Sequence, residues 1–130
     1  MTSIDDYIPI VGQSVIYDLK LIAGKLEGKL IQHINSTAVG GGVAEILNRM
    51  VPLLNELVVK TRWDVIKGGE RYFEITKKFH NALHGRSANI SGDDYSHFLE
   101  VGQKDIAEMN TCGDIVFVHD PQPMALISKR

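Results

Sequence analysis

"LIQHINSTAVGGGVAEIL", residues 30–47, sets a strand-like apolar run against the start of a helix, with three successive glycines, Gly40, Gly41 and Gly42, at the junction. Glycine loses more backbone freedom on folding than any other residue, so a run of three suggests backbone that must come close to something. A phosphate, a sugar or another peptide segment would each fit. Residues 30–35 alternate like a strand, and from Val43 the apolar positions Ile46, Leu47, Met50, Val51, Leu54 and Leu57 recur at helical spacing, with Pro52 expected to bend that helix rather than cancel it.

The same alternation of strand and helix runs outward in both directions. Upstream, Val15, Leu19, Ile22 and Leu26 predict one face of a helix over about 13–26, with Gly28 as its stop. Downstream, "VVKTRWDV" (58–65) is rich in β-branched and aromatic residues and predicts a second strand. Tyr72, Ile75, Phe79 and Leu83 then define a helix over about 70–84, closed by Gly85 in a C′ position. Residues 86–94 read as a loop and 94–109 as a helix interrupted by Gly102. "DIVFVHD" (114–120) is nearly continuous in apolar residues, which predicts a strand buried on both faces, and a new helix begins in "PQPMALISKR". The fold class that follows is α/β: an open, mostly parallel Rossmann-like sheet flanked by helices. Ligands of such sheets sit beyond the carboxyl ends of the strands, where Asn35, Ser36, Thr37, Asp64, His119 and Asp120 gather.

Composition narrows the function classes. The chain has 130 residues, 14 basic and 16 acidic, with a net charge of −2, so it lacks the basic footprint of a nucleic-acid binder. Cys112 is the only cysteine, which rules out an internal disulfide and fits a reducing compartment. "MTSIDDYIPIVGQ" lacks the charge and apolar pattern of a signal peptide, and no apolar run approaches a membrane span, so the expectation is a soluble, cytoplasmic protein with no membrane partner.

Gly40-x-Gly42 after a strand, with Asp64 22 residues further on, has the outline of a dinucleotide site. Glu45 stands where the third small residue belongs, and its carboxylate would oppose a pyrophosphate, so no dinucleotide cofactor is expected. No Gly-Lys-Ser/Thr follows, which removes a P-loop. His80 and His84 are spaced i, i+4, but nothing else in the spacing supports a metal, and none is expected. Lys77, His80, Asn81 and His84 form a polar stripe that either borders a cleft or faces solvent. In "HDPQP" two prolines fix a rigid turn that carries His119, Asp120 and Gln122; Asp120 either serves a ligand or caps the following helix.

Four blocks in order, "NSTAVGGGVAEIL", "VPLL", "RWDVIKGGERYFEITKKFHNALHG" and "DIVFVHDPQP", resemble the N-terminal domain of trehalose-forming glycosyltransferases of the retaining GT-B class, family 4, the trehalose synthase and trehalose phosphorylase kind; the match runs from about Leu30 to Gln122. The resemblance implies a two-domain enzyme that moves glucose from a nucleoside-diphosphate glucose onto glucose, giving trehalose. Residues 1–130 would be a partial acceptor-side domain, and the donor-binding domain would be absent from this chain. Gly40, Gly41 and Gly42 would approach the donor's diphosphate or the transferring sugar. Ser36 and Thr37 would line the cleft, His80 and Asn81 would approach the acceptor, and His119, Asp120 and Gln122 would hydrogen-bond the reacting sugars, with His119 and Asp120 as the catalytic pair. "NELVVKTRW" departs from the family, where a glycine turn is expected between helix and strand. The alternative reading is a stand-alone, non-catalytic Rossmann-like module that binds a sugar, a nucleotide or another protein. An apolar third strand with no following neighbour also predicts a homodimer or higher oligomer through residues 114–130.

Overall fold

The computed structural model describes residues 3–129. A 3-10 turn, Ile4–Tyr7, leads into α1 (Ile8–Val11), α2 (Gln13–Gly24), β1 (Leu30–Asn35), α3 (Gly42–Glu56), β2 (Lys60–Val65), α4 (Glu70–Leu83), α5 (Gly92–Glu108), β3 (Ile115–Val118) and a second 3-10 helix, Gln122–Lys129. The strands form one parallel open sheet in the order β2-β1-β3, flanked by helices, as the alternating pattern predicts.

That order corrects two expectations. β1, expected to alternate, is buried from Ile31 to Asn35 because it is the central strand. β3, expected to be buried on both faces, lies at an edge: Ile115 is 37% and Phe117 47% exposed, and the strand runs only from Ile115 to Val118. Phe117 nevertheless stacks on His33 of β1, ring centres 5.0 Å apart, while Val116 and Val118 are half-buried.

The chain divides into two compact units. One holds the residues up to His33, Val39–Trp63 and Cys112–Phe117. Its core is Ala23, Ile31 and Val59, backed by Leu26, Leu54 and Leu57. α2 turns Ile16 and Ala23 inward and leaves Val15 and Ile22 half-exposed, so its buried face is offset by one residue from the predicted one. The chain's first turn is tied down by Glu56, which accepts from Ser3 Oγ at 2.5 Å and from the Ile4 N–H at 3.0 Å. Gln32, fully buried in β1, accepts from the N–H groups of Cys112 and Gly113, both at 3.1 Å, and so fixes the approach to β3. α3 continues through Pro52 and ends in a Schellman turn: the Val59 N–H reaches the Leu54 carbonyl and the Val58 N–H the Asn55 carbonyl. Val58 takes the left-handed position at φ +64, and for this reason β2 begins at Lys60 rather than at 58.

The other unit holds Ile34–Ala38, Asp64–Thr111 and the residues from Val118 on. α4 and α5 pack through Tyr72, stacked on Phe98 at 5.5 Å, and Phe79, edge-on to Phe98 at 5.1 Å. Leu83, predicted for the same face, is 74% exposed. Ser91 and Asp94 close a reciprocal capping box at the start of α5, and Lys78 of α4 reaches Asp94 at 2.9 Å. The Lys78 hydrogen bond, then the one from the Ser91 N–H, holds the Asp94 carboxyl below its ordinary range. Gly102, which reads in sequence as a helix interruption, is a close approach instead: a methyl there would sit 2.4 Å from the Ala125 side chain of the second 3-10 helix. α4 ends in the same Schellman turn as α3, but with Gly85 at φ +74 in the left-handed position.

Candidate functional site

The carboxyl ends of all three strands fall in the second unit, and with them most of the residues that the sequence singles out. β1 ends in buried Asn35, whose side-chain amide donates to the Thr37 carbonyl at 2.8 Å and folds the 36–37 segment back at the strand end. The Ile66 N–H reaches the Asn35 carbonyl at 3.0 Å, and the His119 N–H reaches the Ile34 carbonyl at 2.8 Å. Ser36 and Thr37, both half-buried, therefore share this end of the unit with His119, and the chain leaves β3 into the Asp120–Gln122 turn from a fixed point.

The turn is held under strain. Asp120 is exposed and left-handed, φ +66, a conformation that costs a side chain about 1–2 kcal/mol. Its carboxylate takes no hydrogen bond among the described residues, so it does not cap the following helix; Met124 N–H bonds to the Pro121 carbonyl there. Tyr72 Oη donates to the Gln122 backbone carbonyl, while the Gln122 side-chain oxygen is enclosed with no partner among the described residues. Asp120 also borders an apolar groove of about 720 Å³ whose walls include Phe79, Leu83, Tyr95, Leu99 and Met124. Among the described residues it is the only charged side chain on that lining.

Two of the remaining candidates, His80 and Asn81, lie on α4. His80 is exposed on the last turn of α4 and stacks on His84, ring centres 4.2 Å apart, while His84 Nδ1 lies 2.8 Å from the His80 carbonyl. The half-buried Asn81 gives its carbonyl to the Arg86 N–H in the Schellman turn. Gly40, Gly41 and Gly42 belong to the first unit. Gly40 and Gly41 have φ +74 and +96, and an added Cβ would meet nothing within 4 Å at any of the three. Backbone conformation, not a close neighbour within the chain, accounts for the first two. Among the described residues no group of three or more His, Cys, Asp and Glu could hold a metal, and no helix is long and apolar enough to cross a membrane.

Two polar groups at this site are not evident from the sequence pattern: the hydroxyl of Tyr72, which reads simply as core, and Asp105. Asp105 is 5% exposed and accepts from the Lys67 N–H at 3.0 Å, holding the start of the β2–α4 loop. A signal for it exists: it follows Phe98 and Gly102 at spacings of seven and three on the buried face of α5, where an acid is out of place unless it is bonded.

The model of the trehalose synthase N-terminal domain matches residues 33–130. The trehalose synthase of Thermococcus litoralis is 40% identical over 95% of this chain and 31% of its own length, and that of Rubrobacter xylanophilus is 40% identical over 91% and 29%. A trehalose phosphorylase of Grifola frondosa is 31% identical over 95% of the chain and 19% of its own length. The chain spans under a third of the length of these relatives. A match that takes in the glycine turn, all of β2 and β3 and the whole Asp120–Gln122 turn means that the chain belongs to the trehalose synthase N-terminal domain family.

Proposed function

We propose that this chain forms the acceptor side of a cytoplasmic, trehalose-forming glucosyltransferase of the GT-B class, family 4, which passes glucose with retention from a nucleoside-diphosphate glucose to glucose. The observation that carries the reading is the grouping of Ser36, Thr37, His119, Asp120 and Gln122 in one unit at the strand ends of a chain of this family. In this proposal the donor is bound by a second domain outside residues 1–130, with Gly40–Gly42 meeting its diphosphate, and no cofactor or metal takes part. Transfer requires an acceptor hydroxyl held against the anomeric carbon, and positioning of that kind supplies a large share of such a rate. Asp120 accepts from a sugar hydroxyl and His119 hydrogen-bonds the reacting group, while the apolar groove wall beside Asp120 covers the C–H face of a pyranose. His80 and Asn81 contact the acceptor from α4.

The test is an amide-resolved NMR titration of the chain with glucose, trehalose and NAD. Both sugars are expected to shift the amides of Ser36, Thr37 and His119–Gln122, with those of Gly40–Gly42 responding to trehalose. No response to either sugar, or a response to NAD at the glycine turn, would overturn the reading.

The partner proposed for the edge of β3 is a second copy of this chain, joined through residues 114–130, because β3 is the last strand of the sheet order and leaves Ile115 and Phe117 half-exposed. Light scattering at high micromolar concentration is expected to give a dimer or larger species. A monomer whose β3 amides resist hydrogen exchange would refute the pairing.

A further inference from the structure

The Asp120–Gln122 turn presents a conformation that its own sequence does not favour, so something must hold it. At one end it hangs from the sheet by the His119 N–H on the Ile34 carbonyl, 2.8 Å. At the other end Tyr72 grips it, the hydroxyl donating to the Gln122 carbonyl. The ring behind that hydroxyl is immobile. It is 1% exposed, stacked on Phe98 at 5.5 Å with 4° between the planes, and edge-on to Phe73 at 5.7 Å. Gly68 is part of the same enclosure, since a Cβ there would come within 2.6 Å of the Tyr72 ring.

We infer that Tyr72 is a positioning residue for the sugar site: its hydroxyl, donating to Gln122, clamps the 119–122 turn in the left-handed form that presents Asp120 to the acceptor. The inference rests on the acceptor-side reading for its last clause only. Burial first, and then the negative charge of Asp105, push the ionisation of Tyr72 far above its ordinary value, which favours the protonated, donating hydroxyl. A phenylalanine at 72 would fill the same space and lose only this bond, leaving Asp120 free to relax out of the left-handed region.

Tyr72→Phe separates the clamp from the packing. The expected result is shifted amides and faster hydrogen exchange at residues 119–122, unchanged amide shifts in the first turn of α5, and a glucose dissociation constant raised roughly tenfold, the loss expected when one held hydrogen-bonding group becomes free. Unchanged amides at 119–122 would overturn the inference whatever happens to glucose. If the native chain fails to respond to glucose while Tyr72→Phe still loosens the turn, the acceptor reading falls and the clamp stands. Should the variant not fold, the native chain decides: a Tyr72 hydroxyl proton in slow exchange with water is expected, and a rapidly exchanging one would overturn the clamp.

Discussion

Asp120→Gly is expected to melt no lower than the native chain and to lose its response to glucose. These two outcomes come from different properties of one residue. Asp120 sits at φ +66 with a carboxylate that no described residue bonds, so glycine removes backbone strain and costs no internal contact. The same change deletes the charged acceptor that the proposed site uses, and a hydrogen bond to a charged group is worth about 1.5–3 kcal/mol, or at least tenfold in affinity. Asp120→Ala loses the acceptor as well but keeps the strain, and is expected to lie about 1 kcal/mol below the glycine variant in stability. Asp120→Asn tolerates the left-handed form and retains an oxygen, so its affinity should fall between native and glycine. Calorimetric melting beside the NMR titration reads both properties. Glucose binding retained in Asp120→Gly would remove Asp120 from the site.

Val58 and Gly85 occupy the same position in two copies of one turn, and exchanging their residue types is expected to move stability in opposite directions. In both turns the C″ N–H bonds the C3 carbonyl and the C′ N–H the C2 carbonyl, with C′ left-handed: φ +64 at Val58 and +74 at Gly85. A β-branched residue is the least suited to that conformation, and Val58 is 75% exposed, so its side chain has little packing to lose. Val58→Gly is therefore expected to stabilise the chain by about 1 kcal/mol and Gly85→Val to destabilise it by about 1–2 kcal/mol. Chemical denaturation of the two variants checks both signs. A destabilised Val58→Gly would mean that the Val58 side chain supports the fold in some other way.

What the sequence makes legible follows from how local the signal is. The strand at 30–35, the helix through Pro52 and the stop at Gly85 are written in a few adjacent residues, and each stands where the pattern puts it. The turn at Val58 carries the departure from the expected glycine in its residue type, while the backbone keeps the glycine geometry. Burial is less local. β3 is as apolar as a central strand, yet the order β2-β1-β3 leaves it at an edge, and no window of residues 114–120 reports the strand order. α2 shows the same limit: Val15 and Ile22 are as apolar as Ile16, and only the packing of the core chooses between them. At the candidate site, His119, Asp120 and Gln122 are marked by prolines and polarity, whereas Tyr72 looks like any core aromatic. Its hydroxyl acquires a partner 50 residues away only once the chain is folded.

The place of β1 in the sheet also bears on how the protein is made. β1 is complete at Asn35 and its neighbour β2 at Val65, but its other neighbour, β3, is not complete until Val118. Contacts between these distant segments include the Leu30 N–H on Asp114, 2.8 Å, and the two bonds to Gln32 from Cys112 and Gly113. At roughly 5–20 residues per second of translation, one flank of β1 waits for several seconds before the two bonds that Gln32 accepts from Cys112 and Gly113 can form. For that interval the nascent chain carries an open strand edge, the kind of surface on which another chain can pair before β3 arrives.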